Sequence, residues 1–177
     1  MLAAGSPALV CLMAANNETG TIQPIAAAAE ICRRHGALLH VDAVQAAGRL
    51  PDIRLDRFGA HAMAVSSHKL GGPPGVGALL LAPDAPHVPA LIAGGGQERG
   101  RRGGTLAAPL IAGFAAAAAE PAGDTAALRD RAERAALSHG AVAIARGAPR
   151  LPNTTCLALP GVRADAQVIA LALDGVS

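Results

Sequence analysis

The 177-residue sequence has no tryptophan, no tyrosine and only two phenylalanines, so aromatics make up 1% of it. Without them there is no platform on which bases could stack. Arg99, Arg101 and Arg102 by themselves therefore do not make a nucleic-acid surface. Net charge is only +2, too mild to call for a polyanionic partner. Long hydrophobic runs are missing too. The longest, 110–119, falls well short of the roughly 20 residues that a membrane span needs. Residues 7–15 (PALVCLMAA) look like the apolar core of an export signal. No Lys or Arg occurs before Arg33, however, so the positive flank of such a signal is lacking, and the run reads as a buried strand. The cysteines, Cys11, Cys32 and Cys156, are odd in number and far apart, which argues against a disulfide framework. Cys32 and His35 share a helix face, but two candidate ligands without a third or fourth do not define a metal site. A reduced, cytoplasmic protein without bound metal is the expectation.

What is present is small and apolar. Hydrophobic residues reach 51% of the chain, much of it alanine, which suits helices packed closely on a sheet. Strand and helix signals alternate. Residues 8–14, 37–41, 61–65 and 76–82 read as strands. Pro24 opens a helix at its first turn and Gly36 closes it. Helices are expected over 107–119 and 125–138, a strand over 154–160, and the start of another helix at 165–173. This order predicts an α/β sheet with a substantial parallel part. The stretch "PAGD" at 121–124 marks the domain boundary, giving domains 1–123 and 124–177. No internal repeat is visible. The loop "GGGQERGRRGGT" (94–105) matches neither the Walker A pattern nor the dinucleotide glycine fingerprint.

Lysine is the scarcest charged residue: Lys69 is the only one. It sits in "AVSSHKLGGPPGVG" (64–77), at the end of a predicted strand and before a loop of glycine and proline. In sheets of this kind, ligands gather outside the carboxyl ends of strands. Asn16–Asn17, Asp42 and Ser66–Lys69 each follow a predicted strand and are expected to converge on one crevice. A lysine amine there is suited to Schiff-base formation, and serine hydroxyls with turn amides suit a phosphate. An aspartate suits a pyridinium nitrogen. Each residue also has a plainer reading. Lys69 reads as a surface lysine, Asp42 as the N-cap of a helix at "AVQAA", and Gln45 as an exposed helix residue. Asn17 reads as a turn former and Thr105 as the cap of the helix at 107–119. His35, His61, His87 and His139 read as surface or packing residues, and Cys156 as strand packing.

The motifs "NNETG", "HVDAVQAAGRLP", "SSHKLGGPPGVGAL" and "GGGQERGRRGGT", in that order, resemble those of the cysteine desulfurases. These are pyridoxal-phosphate enzymes of the class V aminotransferase family, and the resemblance runs from about residue 8 to the end of the chain. It implies a fold-type I transferase-like α/β architecture, with 1–123 as part of the large cofactor domain and 124–177 as part of the small C-terminal domain. It implies pyridoxal 5'-phosphate as cofactor, with Lys69 forming the internal aldimine and Asp42 bonding the ring nitrogen. Gln45 and Asn17 would face the phenolate oxygen and the substrate amine. Ser66 and His68 would hold the phosphate, and Thr105 would reach the phosphate of a neighbouring subunit, which implies a homodimer. The substrate would be L-cysteine, converted to alanine, with sulfur passed to an acceptor protein for iron–sulfur cluster or thio-cofactor assembly. A selenocysteine lyase or another class V enzyme, and a non-catalytic remnant, are the alternatives.

The chain departs from the family in length, at about half. The glycine/threonine phosphate turn and the ring-stacking histidine would precede Met1. The loop with the sulfur-accepting cysteine and the carboxylate-binding arginine would follow the C-terminal "LALDGVS". None of the three cysteines aligns with the nucleophile. The expectation is an internal piece of such an enzyme, inactive alone.

Overall fold

The computed structural model describes residues 8–120 and 123–176. Pro121 and Ala122, from the boundary stretch 121–124, lie outside the described residues. Two compact units form, one within Met1–Ala14 and Gln23–Ala122, the other within Ala15–Ile22 and Gly123–Ser177. The loop after the first strand thus groups with the C-terminal part of the chain.

The first unit is built on four strands: β1 (Leu9–Met13), β2 (Leu38–Asp42), β3 (Ala62–Ser66) and β4 (Gly77–Leu81). They lie in the order β1-β2-β3-β4, with the first three parallel and β4 antiparallel to β3. Helix α1 (Ile25–Arg34) connects β1 to β2, as a parallel pair requires. It buries Ile25, Ala29 and Cys32, spaced four and three apart on one face. On β2 and β3, Leu39, Val41 and Met63 are buried as well, and α1 packs on β2. Small side chains thus make the helix–sheet core. Pro24 is the residue flanking α1 rather than its first helical residue. The helix ends in two arginines, which favour the negative end of its dipole.

One strand differs from the expectation of burial. β1 alternates, with Leu9 63% and Met13 41% exposed, because it forms an edge of the sheet among the described residues. β4, at the other edge, leaves Leu79 and Leu80 exposed. Beyond β3 the chain makes a 3-10 turn (Ser67–Leu70). Its anchor is Ser67, fully buried, whose N–H donates to the Val76 carbonyl at 3.1 Å and whose carbonyl accepts the Gly72 N–H at 3.0 Å. Gly71 closes the turn at φ 85°, and a Cβ on Gly72 would collide with Ser67 Oγ. Gly71 is therefore demanded by its backbone conformation and Gly72 by the space beside the Ser67 side chain. A short helix α2 (Leu55–Phe58) precedes β3, and α3 (Ala108–Ala119) packs against the turn.

The second unit contains α4 (Ala126–Ser138), the antiparallel pair β5 (Val142–Ile144) and β6 (Cys156–Ala158), and α5 (Ala164–Leu173). Its core residue is Leu151, fully buried. The Leu151 N–H donates to Gly20 O at 2.8 Å, and its carbonyl accepts Arg129 Nη1 at 2.8 Å. These bonds tie the loop 15–22 and α4 to one segment. Antiparallel bridges Ala15–Ile22 and Thr21–Arg150 complete the tie.

Candidate active site

The first unit places Asp42 at the end of β2 and Ser66, His68 and Lys69 at and just beyond the end of the adjacent parallel β3, which runs two residues further. Asp42 lies opposite Ala64, and the Ala43 N–H donates to the Ala64 carbonyl at 3.0 Å. In-register partners share a face, and Ser66, two residues past Ala64, shares it also. Leu39, Val41 and Met63 point the other way, into the packing with α1. The same alternation that builds the core therefore turns Asp42 and Ser66 to the opposite face.

Local bonds fix Asp42, Ser66 and His68. The Val44 N–H donates to Asp42 Oδ1 at 2.9 Å, while Asp42 Oδ2 accepts no bond among the described residues. The segment after Asp42 is a run of turns over 44–49 rather than the helix that an N-cap role supposes. Ser66 Oγ and His68 Nδ1 are hydrogen-bonded at 2.9 Å. Lys69, half-buried, has no acidic partner among the described residues. A free carboxylate oxygen thus lies at the end of β2, and a hydroxyl–imidazole pair and a lysine amine without an acidic partner lie at and just beyond the end of β3. This donor set fits a group with an aldehyde carbon, a basic ring nitrogen and a phosphate.

Arg49 was not among the residues singled out by sequence. Its Nη1 donates to Gln45 O at 2.9 Å and to Gln45 Oε1 at 3.2 Å, and its Nη2 donates to Lys69 O at 2.9 Å. Burial pushes the guanidinium below its ordinary pKa. The available signal was its position four residues after Gln45, the separation at which side chains in one helical turn meet.

The remaining expected residues lie elsewhere. Thr105 is exposed in the first unit and makes no hydrogen bond among the described residues; α3 begins after Ala107 without a side-chain cap, so Thr105 is not its cap. Asn17 belongs to the second unit, exposed in the turn 16–20. That turn is shaped by Asn16, whose Oδ1 accepts the N–H groups of Glu18 at 3.0 Å and Thr19 at 2.9 Å. His61 has a packing role: its Nδ1 accepts the Leu39 N–H at 3.1 Å. No group of three or more His, Cys, Asp or Glu residues suited to a metal occurs among the described residues. No helix there is long and apolar enough to cross a membrane.

The sequence matches the aminotransferase class-V family over residues 2–171, and the chain belongs to that family. Within it, the chain is similar to cysteine desulfurases. It is 46% identical over 175 residues to the cysteine desulfurase of Cereibacter sphaeroides, covering 96% of this chain and 45% of that protein. It is 51% identical over 111 residues to the IscS-like cysteine desulfurase of Mycobacterium tuberculosis, covering 63% of this chain and 28% of that protein. Among solved structures, a NifS-like protein from Rickettsia africae ESF-5 superposes with a TM-score of 0.90 at 32% identity, over 96% of this chain and 49% of that one. The fold is thus the α/β fold of the fold-type I transferases. The chain spans about half the length of the curated relatives it matches.

Proposed function

We propose that this chain carries the cofactor-holding part of a cysteine desulfurase. The observation that carries the reading is the placement of the only lysine, Lys69, one turn beyond β3, with Asp42 ending the adjacent parallel strand. The likeness to cysteine desulfurases supports it. Pyridoxal 5'-phosphate, when bound, supplies an electron sink for the bonds at the substrate α-carbon. Lys69 Nζ would be the amine that holds it by its carbonyl carbon. Asp42 would serve the ring nitrogen and keep its proton. Ser66 and His68 would hold the phosphate, and Gln45 would donate to the phenolate oxygen. Thr105 would serve a second subunit's phosphate, so the working form would be a dimer. The substrate is L-cysteine, whose sulfur passes to an acceptor protein.

The test is chemical. The 177-residue chain is mixed with pyridoxal phosphate, reduced with borohydride and mapped by mass spectrometry. A pyridoxyl group on Lys69 is expected, and no label on Lys69 at saturating cofactor would overturn the reading. Arginine cannot substitute, since its guanidinium stays protonated and forms no stable imine.

A further inference from the structure

We propose that Arg49 is a positioning residue that sets both the lysine-bearing turn and the orientation of the Gln45 amide; this rests on the functional reading above. Its planar fork divides between two targets. Nη2 holds the Lys69 carbonyl at 2.9 Å, while Nη1 holds Gln45 O at 2.9 Å and Oε1 at 3.2 Å. Lys69 lies in a four-residue 3-10 turn, a poorly bonded element that drifts readily without outside anchors. Ser67 anchors its start through the Val76 carbonyl, but its buried Oγ has no partner. Arg49 anchors the turn at the lysine itself.

The second consequence concerns polarity. An amide offers an acceptor oxygen and a donor nitrogen. With Oε1 taken up by the guanidinium, Gln45 presents Nε2 outward, and so offers a donor to an anionic ring oxygen. A glutamine turned the other way would offer an acceptor and repel that oxygen. Arg49 thus selects the useful face of Gln45 without touching the cofactor. Lysine is a poor replacement, since a point charge on a flexible stem cannot span both carbonyls in a fixed plane.

The experiment compares the 177-residue chain with Arg49→Lys, Arg49→Met and Gln45→Leu. Two readouts are taken: amide hydrogen exchange without cofactor, and borohydride-fixed label on Lys69 against pyridoxal phosphate concentration. Far-UV circular dichroism reports folding. In Arg49→Met, exchange at 67–72 should speed by about tenfold while β2 and β3 hold their protection, and the concentration for half-labelling should rise by about tenfold. Arg49→Lys should remain closer to Arg49→Met than to the parent. Gln45→Leu should raise the half-labelling concentration and leave exchange at 67–72 unchanged. Parental behaviour of Arg49→Lys in both readouts, or of Arg49→Met in exchange, overturns the proposal. If Arg49→Met unfolds, Arg49→Lys decides. If the parent takes no label, the functional reading fails, and the exchange data still decide whether Arg49 holds the turn.

Discussion

In the Asp42 carboxylate, Oδ1 accepts the Val44 N–H at 2.9 Å and Oδ2 is left open at the strand end. The first oxygen shapes the turn; the second is the one proposed to meet a ring nitrogen. The two contributions separate by substitution. Asp42→Asn keeps an acceptor for Val44 but loses the charge. Its thermal midpoint should therefore match the parent, while affinity for pyridoxal phosphate falls by about tenfold, the size of one charge-assisted bond. Asp42→Ala should lose both, with a stability cost of about 1 kcal/mol. Thermal melts and cofactor titrations read the two effects, and unchanged affinity in Asp42→Asn would remove Asp42 from the ring nitrogen. Arg49 shows how a residue can matter largely through backbone groups. Its partners are two carbonyls and an amide oxygen, so nothing in the identity of Lys69 reveals the contact.

At the scale of elements, α4 is bound to the segment around β6 by a buried charge. Glu133, 5% exposed, receives Arg150 Nη1 at 2.8 Å, Arg146 Nε at 3.1 Å and the Thr155 hydroxyl at 2.7 Å. The Arg150 hydrogen bond, then that of Thr155, lowers its pKa from 4.5 to about 2, outweighing the opposing effect of burial. A carboxylate with a depressed native pKa binds its proton less readily folded than unfolded. Its contribution is therefore complete above about pH 4.5 and is lost as pH falls towards 2. Urea unfolding followed between pH 7 and pH 2.5 should show stability declining through that window, by on the order of 3 kcal/mol at the acid end. Glu133→Gln should flatten this part of the profile. An equally steep decline in Glu133→Gln would assign the acid sensitivity to other carboxylates. The 3-10 turn after β3 contrasts with α4, because it is short and depends on Ser67 and Arg49 for its place.

For the whole molecule, each unit leaves apolar surface uncovered. In the first, Leu9 on β1 is 63% exposed and Leu91 is 99% exposed; in the second, α5 buries no residue and leaves Leu173 83% exposed. Exposed apolar residues that form contiguous patches mark surfaces that other protein covers. The purified 177-residue chain should therefore bind an apolar dye such as anilinonaphthalene sulfonate and elute as more than a monomer in light-scattering chromatography. A dye-silent monomer would show that these faces are satisfied within the chain.

Much of this was legible from sequence. The alternation of apolar runs with capped helical stretches located β1 to β4, α1, α3, α4 and α5 within a few residues, because periodicity and end signals are local properties. That Asp42 and Ser66–Lys69 follow neighbouring parallel strands was legible too, since strand ends are local signals, but Asn16–Asn17, expected in the same crevice, fall in the second unit. The edge exposure of β1 was not, because a strand's apolar content does not say whether a neighbour covers it. Nor was the grouping of 15–22 with the C-terminal part, which depends on bonds to Leu151 made across more than a hundred residues of chain. The sequence by itself determined the elements and the chemistry available at their ends. Only the tertiary structure decided which carbonyls Arg49 would hold and which carboxylate, Glu133, would be buried, because those partners are chosen by register and packing between distant segments rather than by any local pattern.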